Sequence, residues 1–169
     1  MSRIPVAEFV VWFGSVLIAI WGSPQAVVRV CAEPRPIVDQ RWAGVWTLSE
    51  VLSTGSTAPR LYARGTRRIS FSDAIVTIVD DFVRVRGGVV HLEWTGKLDG
   101  SDYPVEGVEV YLTSAYRPVD DHTIELRQKF DGHTVVFATM VLSADGKTIT
   151  TTTTDGVTTA KTVYTRVST

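Results

Sequence analysis

The chain has 169 residues, 44% of them apolar and 21% charged, which suits one domain with a proper core and is too short for two ordinary ones. Seventeen basic residues stand against eighteen acidic ones, a net charge of −1 that argues against a protein built mainly to bind nucleic acid. The composition is neither disordered nor collagen-like, and a single cysteine, Cys31, excludes an intramolecular disulfide.

The first thirty residues are a different material from the rest. Phe9 to Val28 carries no charge, and Arg3 precedes it. A short basic start and an apolar run of about a dozen residues read as a secretory signal. Val30-Cys31-Ala32 offers small residues for cleavage after Ala32, so residues 1–32 are expected to be a signal peptide. Removal of Arg3, Glu8 and Arg29 with it leaves a net charge of −2 and no cysteine. Two other readings stay open: an uncleaved membrane anchor over residues 9–28, since twenty uncharged residues are about the length of a span, and a lipidated Cys31. All three export the domain, to the periplasm or the medium, and a membrane is met only through this segment. Residues 33–41, with Pro34 and Pro36, read as an extended linker to a domain over 42–169.

From Trp42 onward apolar residues recur at period two, and turn signals punctuate them every 8 to 15 residues. Strands are expected near 44–50, 67–72, 75–80, 82–86, 89–97, 108–113, 122–130, 133–142, 148–154 and 158–167. Residues 51–65, with Gly55, Pro59 and Gly65, read as a lid or a short helix across one mouth. Four Asp-Gly pairs (Asp99-Gly100, Asp131-Gly132, Asp145-Gly146, Asp155-Gly156) and Gly87-Gly88 mark hairpin turns, because type I′ turns need positive φ. A two-residue turn at Asp131-Gly132 sets Leu126 opposite Phe137 and Ile124 opposite Thr139 on a mostly apolar face. The same logic at Gly87-Gly88 sets Val85 opposite Val90 and Val83 opposite Leu92, with Arg84 and His91 on the reverse face. The fold class is therefore all-β: a single antiparallel up-and-down barrel of eight to ten strands, since closure removes exposed edges. Thr148–Thr154 reads as a polar strand, or as one that aims alternate hydroxyls into a wet interior.

Gly44-Val45-Trp46 at the start of the first strand resembles the lipocalin signature, and Tyr164-Thr165-Arg166 sets an arginine near the end of the last strand. The resemblance implies that Gly44, Trp46 and Arg166 close one end of the barrel, the cation lying over the indole. Trp94 to Val105, Asp120-Asp121-His122-Thr123 and Leu142 to Thr150 resemble, in order, a group of exported, mostly bacterial lipocalin-like (calycin-type) barrels of unassigned function. The resemblance spans about 44–167 and implies a fold but no catalytic residues.

Chemistry is sparse. No nucleophile elbow, zinc-binding helix or phosphate loop occurs, and no catalytic residue, metal or cofactor is expected. His91, His122 and His133 read as surface or rim residues, and Ser143 as a turn residue. Asp80-Asp81 and Asp120-Asp121 read as solvated turns, and Glu93, Glu109 and Glu125 as solvent-facing. Arg60, Arg64, Arg67 and Arg68 crowd within nine residues and read as an anion collar at the open mouth, or as a solvated entrance loop. Tyr62, Trp94, Tyr111, Phe137 and Tyr164 are the candidate lining residues, with ordinary core packing as the alternative. The leading expectation is an exported carrier of a small hydrophobic or amphipathic molecule, its head fixed by Arg64, Arg67 or Arg68. A cyclase- or isomerase-type barrel enzyme and a filled, partner-binding envelope module are the alternatives.

Overall fold

The computed structural model describes residue 38 and residues 40–54, 62–157 and 159–168. The signal, anchor and lipid readings of residues 1–32 and the collar residue Arg60 lie outside them. A 3₁₀ turn, Gln40–Trp42, leads into ten strands: β1 (Gly44–Thr54), β2 (Tyr62–Ser72), β3 (Ile75–Arg84), β4 (Val89–Gly96), β5 (Tyr103–Glu106), β6 (Leu112–Asp120), β7 (Thr123–Phe130), β8 (His133–Leu142), β9 (Thr148–Thr154) and β10 (Thr159–Arg166). Each pairs antiparallel with its sequence neighbour, and β1 pairs with both β2 and β10, so the sheet is a closed up-and-down barrel.

The count of ten hides two compensating differences from the sequence reading. Residues 75–84 form one strand, not two, with Asp80-Asp81 in its middle. Conversely, Tyr103–Glu106 is a strand that Pro104 and the surrounding turn residues concealed. It makes two registered pairs with β4 and two with β6. The strands β1 and β2 also extend beyond their expected limits, reducing the expected lid over 51–65 to residues 55–61, outside the described residues.

Register differs at both tested hairpins. Around Asp131-Gly132, Phe130 pairs with His133 and Lys129 with Thr134, as the two-residue turn requires. A bulge then shifts the ladder by one, and Leu126 meets Ala138 while Ile124 meets Met140. A one-residue slip turns a whole strand over, so Phe137 faces out. At the other hairpin the connection runs through Val85–Gly88, with both glycines at positive φ, and Val83 pairs with Val89. Phe82, Asp80 and Ile78 therefore face inward in place of Val83 and Val85.

The end of the barrel that holds the Asp73-Ala74 turn is solid. Trp42 and Trp46 are fully buried, with Leu142 and Ile149 beside them. The Trp46 indole N–H donates to the Trp42 carbonyl (3.1 Å), and the Trp42 indole N–H donates to the Asp121 carbonyl (3.0 Å). The Arg166 guanidinium lies 4.1 Å above the Trp46 ring centroid. Its Nε donates to the Gly146 carbonyl (2.8 Å), its Nη1 to Ala43 (2.8 Å) and its Nη2 to Arg41. One side chain thus ties the last strand to the chain before β1 and to the β8–β9 loop. Gly44 is needed for this: its φ is +142°, and a Cβ there would sit 2.5 Å from Arg166 Nη1.

Replacing Arg166 with leucine removes the cation over the indole and three charge-assisted bonds to carbonyls. The expected loss is about 2–4 kcal/mol, read as a lower urea midpoint with an unchanged slope. A midpoint equal to that of the unmodified protein would contradict the assignment.

Candidate functional site

Two-residue alternation sets which side chains enter the barrel, and their burial changes along its axis. Inward residues near the closed end are buried, among them Ile69, Val76, Ile78, Leu142 and Ile149. Toward the opposite end Phe82 and Ala138 are still buried, but Tyr62, Val90, Leu92, Leu112, Leu126 and Val136 are only partly so. The interior is thus filled at one end and reachable by solvent from the other. The open end is ringed by exposed apolar tips: Val85, Val89, Val110, Tyr111, Phe130 and Val157.

Between the two regions lies a polar cluster. Arg67 on β2 and Asp80 on β3 pair across the strands and both face inward, each 7% exposed. Arg67 Nε donates to Asp80 Oδ1 and Nη2 to Oδ2, each at 2.7 Å, a bidentate fork. The third nitrogen, Nη1, points at the Met140 sulfur at 3.8 Å, a weak acceptor. The guanidinium carbon lies 4.8 Å from the Tyr164 ring centroid. Met140 pairs with Thr151 on β9, whose buried Oγ1 has no hydrogen-bond partner. Tyr116 completes the group, its ring 4.4 Å from Trp94.

Burial sets the protonation states. It would lower the Arg67 pKa, but the adjacent Asp80 carboxylate outweighs that and holds the guanidinium above its ordinary value. Burial pushes the Tyr164 hydroxyl up to about 12, against the opposing pull of Arg67. Tyr116 rises further for the same first cause. At neutral pH the guanidinium is therefore charged and both phenols are neutral.

The expected lining and collar residues separate accordingly. Tyr62 faces inward near the mouth and stacks on Phe82 at 4.5 Å. Trp94 and Tyr164 are buried inside, the Trp94 indole N–H donating to the Ser114 carbonyl at 2.9 Å. Tyr111 is 70% exposed in the β5–β6 connection and does not line the interior, because Leu112 is the first inward residue of β6. Phe137 is 54% exposed on the outer wall, turned out by the β8 bulge. It lines an open groove of about 620 Å³ with Arg117, Arg127 and Thr139, and the backbone neighbours Leu126 and Ala138 border the same groove.

No arginine collar forms from the described residues. Arg64 is exposed on β2, Arg67 points inside, and Arg68 points outside to Asp81 at 2.9 Å. Asp81 also meets His91 Nδ1 at 2.7 Å, and that hydrogen bond, with Arg68 adding to it, lowers the Asp81 pKa. Asp80 and Asp81 are thus strand residues on opposite faces, not a solvated turn. Among the described residues no three histidine, cysteine or carboxylate side chains are set to share a metal ion.

The sequence reading missed Asp80 and Tyr116 as interior groups, and offered interior hydroxyls on 148–154, of which Thr151 is one, as the second of two readings. A signal for Asp80 existed. A two-residue turn at Asp73-Ala74 pairs Arg67 with Asp80 on the same face as Ile69–Ile78 and Phe71–Val76. An opposite-charge pair within an apolar ladder is the signature of a buried bridge.

Neither a protein-family model nor a curated protein matches the chain. Solved structures do. The barrel is similar to a Schistosoma mansoni fatty-acid-binding protein in complex with arachidonic acid, at 20% identity and a TM-score of 0.58 over 76% of this chain and 98% of that one. It is similar to Echinococcus granulosus fatty-acid-binding protein 1 at 12% identity and a TM-score of 0.56, over 76% and 98%. The fluorescent protein UnaG gives 17% identity and a TM-score of 0.54, over 76% and 98%. At these identities the likeness is one of fold: a closed, ten-stranded, calycin-type barrel.

Two outcomes follow from the cluster. Arg67→Met leaves the Asp80 charge buried and uncompensated, an expected loss of about 3–5 kcal/mol, whereas Arg67→Met with Asp80→Leu loses less than either single change. Equal, additive losses in urea unfolding would contradict a buried pair. The raised Tyr164 pKa makes folding favour the protonated phenol, whose unfolded value is about 10. That contribution is complete below about pH 10 and is lost as pH rises through about 12. Tyr164→Phe should flatten this alkaline loss in unfolding measurements; an unchanged profile would contradict it.

Proposed function

We propose that the barrel binds a small hydrophobic or amphipathic molecule in its interior, admitted through the open end. The observation that carries this reading is the burial gradient: a solid floor of tryptophan and leucine beneath an upper chamber whose apolar walls remain solvent-accessible. Such walls gain about 25 cal/mol per Å² when a ligand takes them out of water. The likeness to fatty-acid-binding proteins supports a hydrophobic cargo. The apolar body lies against Leu92, Leu112, Leu126 and Val136, with Tyr62 near the entrance and Trp94 and Tyr164 deeper in.

The proposal includes export. The apolar run of residues 9–28 and the small residues before Glu33 support a leader removed after Ala32, with an uncleaved anchor as the alternative. The Trp94–Val105 and Leu142–Thr150 segments support kinship with the exported lipocalin-like barrels. A denatured mass beginning at Glu33, measured on protein from its own host, is the expected result for the leader; an intact Met1 or lipid-modified chain would contradict cleavage.

Native mass spectrometry of that protein is expected to reveal an added mass that denaturation removes. Leu92→Arg, which sets a charge in the inner wall, should abolish it. Phe137→Ala on the outer wall should leave it unchanged. Loss of the added mass in Phe137→Ala but not Leu92→Arg would move the site to the external groove.

A further inference from the structure

We infer that the interior recognises an uncharged, hydrogen-bonding head group, a hydroxyl or carbonyl, and not a carboxylate. This deepens the reading above and rests on it. The argument is one of charge and unmet valence at the boundary between the filled and open regions. Arg67 is the interior cation, and Asp80 already holds two of its nitrogens at 2.7 Å. The pair is neutral as a unit. A ligand carboxylate beside it would face Asp80 in a place where water cannot screen the repulsion. Binding it would need either the fork to break or a proton to be taken up.

A neutral oxygen meets no such obstacle. Arg67 Nη1 still has a hydrogen to donate, its acceptor among the described residues being the Met140 sulfur at 3.8 Å. Thr151 Oγ1, buried and without a partner, is paired in register with that same methionine. With the flexible Met140 side chain swung aside, an alcohol would accept from Nη1 and donate to Thr151 Oγ1, and a ketone or amide carbonyl would accept from both. Tyr116 and Tyr164 remain protonated around it and add no charge. An unsatisfied buried hydroxyl is rare in native proteins, and a ligand oxygen accounts for it. The head lies deep, and the alkyl body runs up the apolar chamber toward the mouth.

The test compares dodecan-1-ol with dodecanoate at about pH 8, where the acid is ionised, using the full chain and tryptophan fluorescence from Trp94 beside Tyr116. The alcohol is expected to bind at least about tenfold more tightly than the carboxylate. Thr151→Val, nearly isosteric, should weaken the alcohol by about five- to tenfold and leave dodecanoate unchanged. Asp80→Asn, if it folds, should raise dodecanoate affinity by freeing the guanidinium charge. Dodecanoate binding as tightly as the alcohol would overturn the inference and leave the hydrophobic-ligand reading standing. Undiminished alcohol binding by Thr151→Val would do the same. Failure of both probes to bind would overturn both readings.

Discussion

A salt bridge inside an apolar barrel is the constraint around which the interior is arranged. Arg67 and Asp80 cannot be separated without leaving a charge in a place water does not reach, so β2 and β3 must hold the register that joins them. That register sets Ile69 against Ile78 and Phe71 against Val76 below the pair, and Gly65 against Phe82 above it. Gly65 has no side chain because the Phe82 ring occupies the space a Cβ would take, 2.3 Å away. Phe82 in turn carries Tyr62 on its face. One ionic pair therefore connects the packed floor to the wall of the open chamber.

The closed end answers a separate need. A barrel opened at both ends would let water reach the ion pair from below. Trp46 neighbours Arg67 in the β1–β2 ladder and Arg166 in the β1–β10 ladder. Arg166 lies over the ring on the outer side and gives its hydrogens to backbone carbonyls. The floor is thereby sealed from the side away from the mouth. On the proposed function that asymmetry sets the direction of entry: a ligand comes in from the partly buried end and meets the polar cluster beyond it.

Much of the architecture was legible in the sequence because its signals are local. Glycines at 87, 88, 100, 132, 146 and 156 all have positive φ, and period two gave the all-β class and closure. What escaped depends on distant partners. The bulge in the β7–β8 ladder has no local glycine to announce it, and it reversed Phe137. The strand β5 was hidden because it is four residues long and holds Pro104, which weakens a strand signal; Gly107, at φ +85°, follows it. Arg67 looked like one of a surface cluster because its three neighbours in sequence share its charge. Only the ladder around Asp73-Ala74 distinguishes it, turning Arg67 inward and Arg68 outward. Thr151 was legible as a member of an alternating strand, but its lack of a partner could be known only from the folded neighbours.

The most direct test of an open chamber above a sealed floor is methyl NMR of the protein during titration with dodecan-1-ol. The account predicts shifts confined to Leu92, Leu112, Leu126 and Val136 in the upper wall and to Met140 at the boundary. Leu142 and Ile149 in the floor and Val141 on the outer wall should remain where they are. Shifts centred on Val141, or on the floor methyls with the upper wall unchanged, would contradict it.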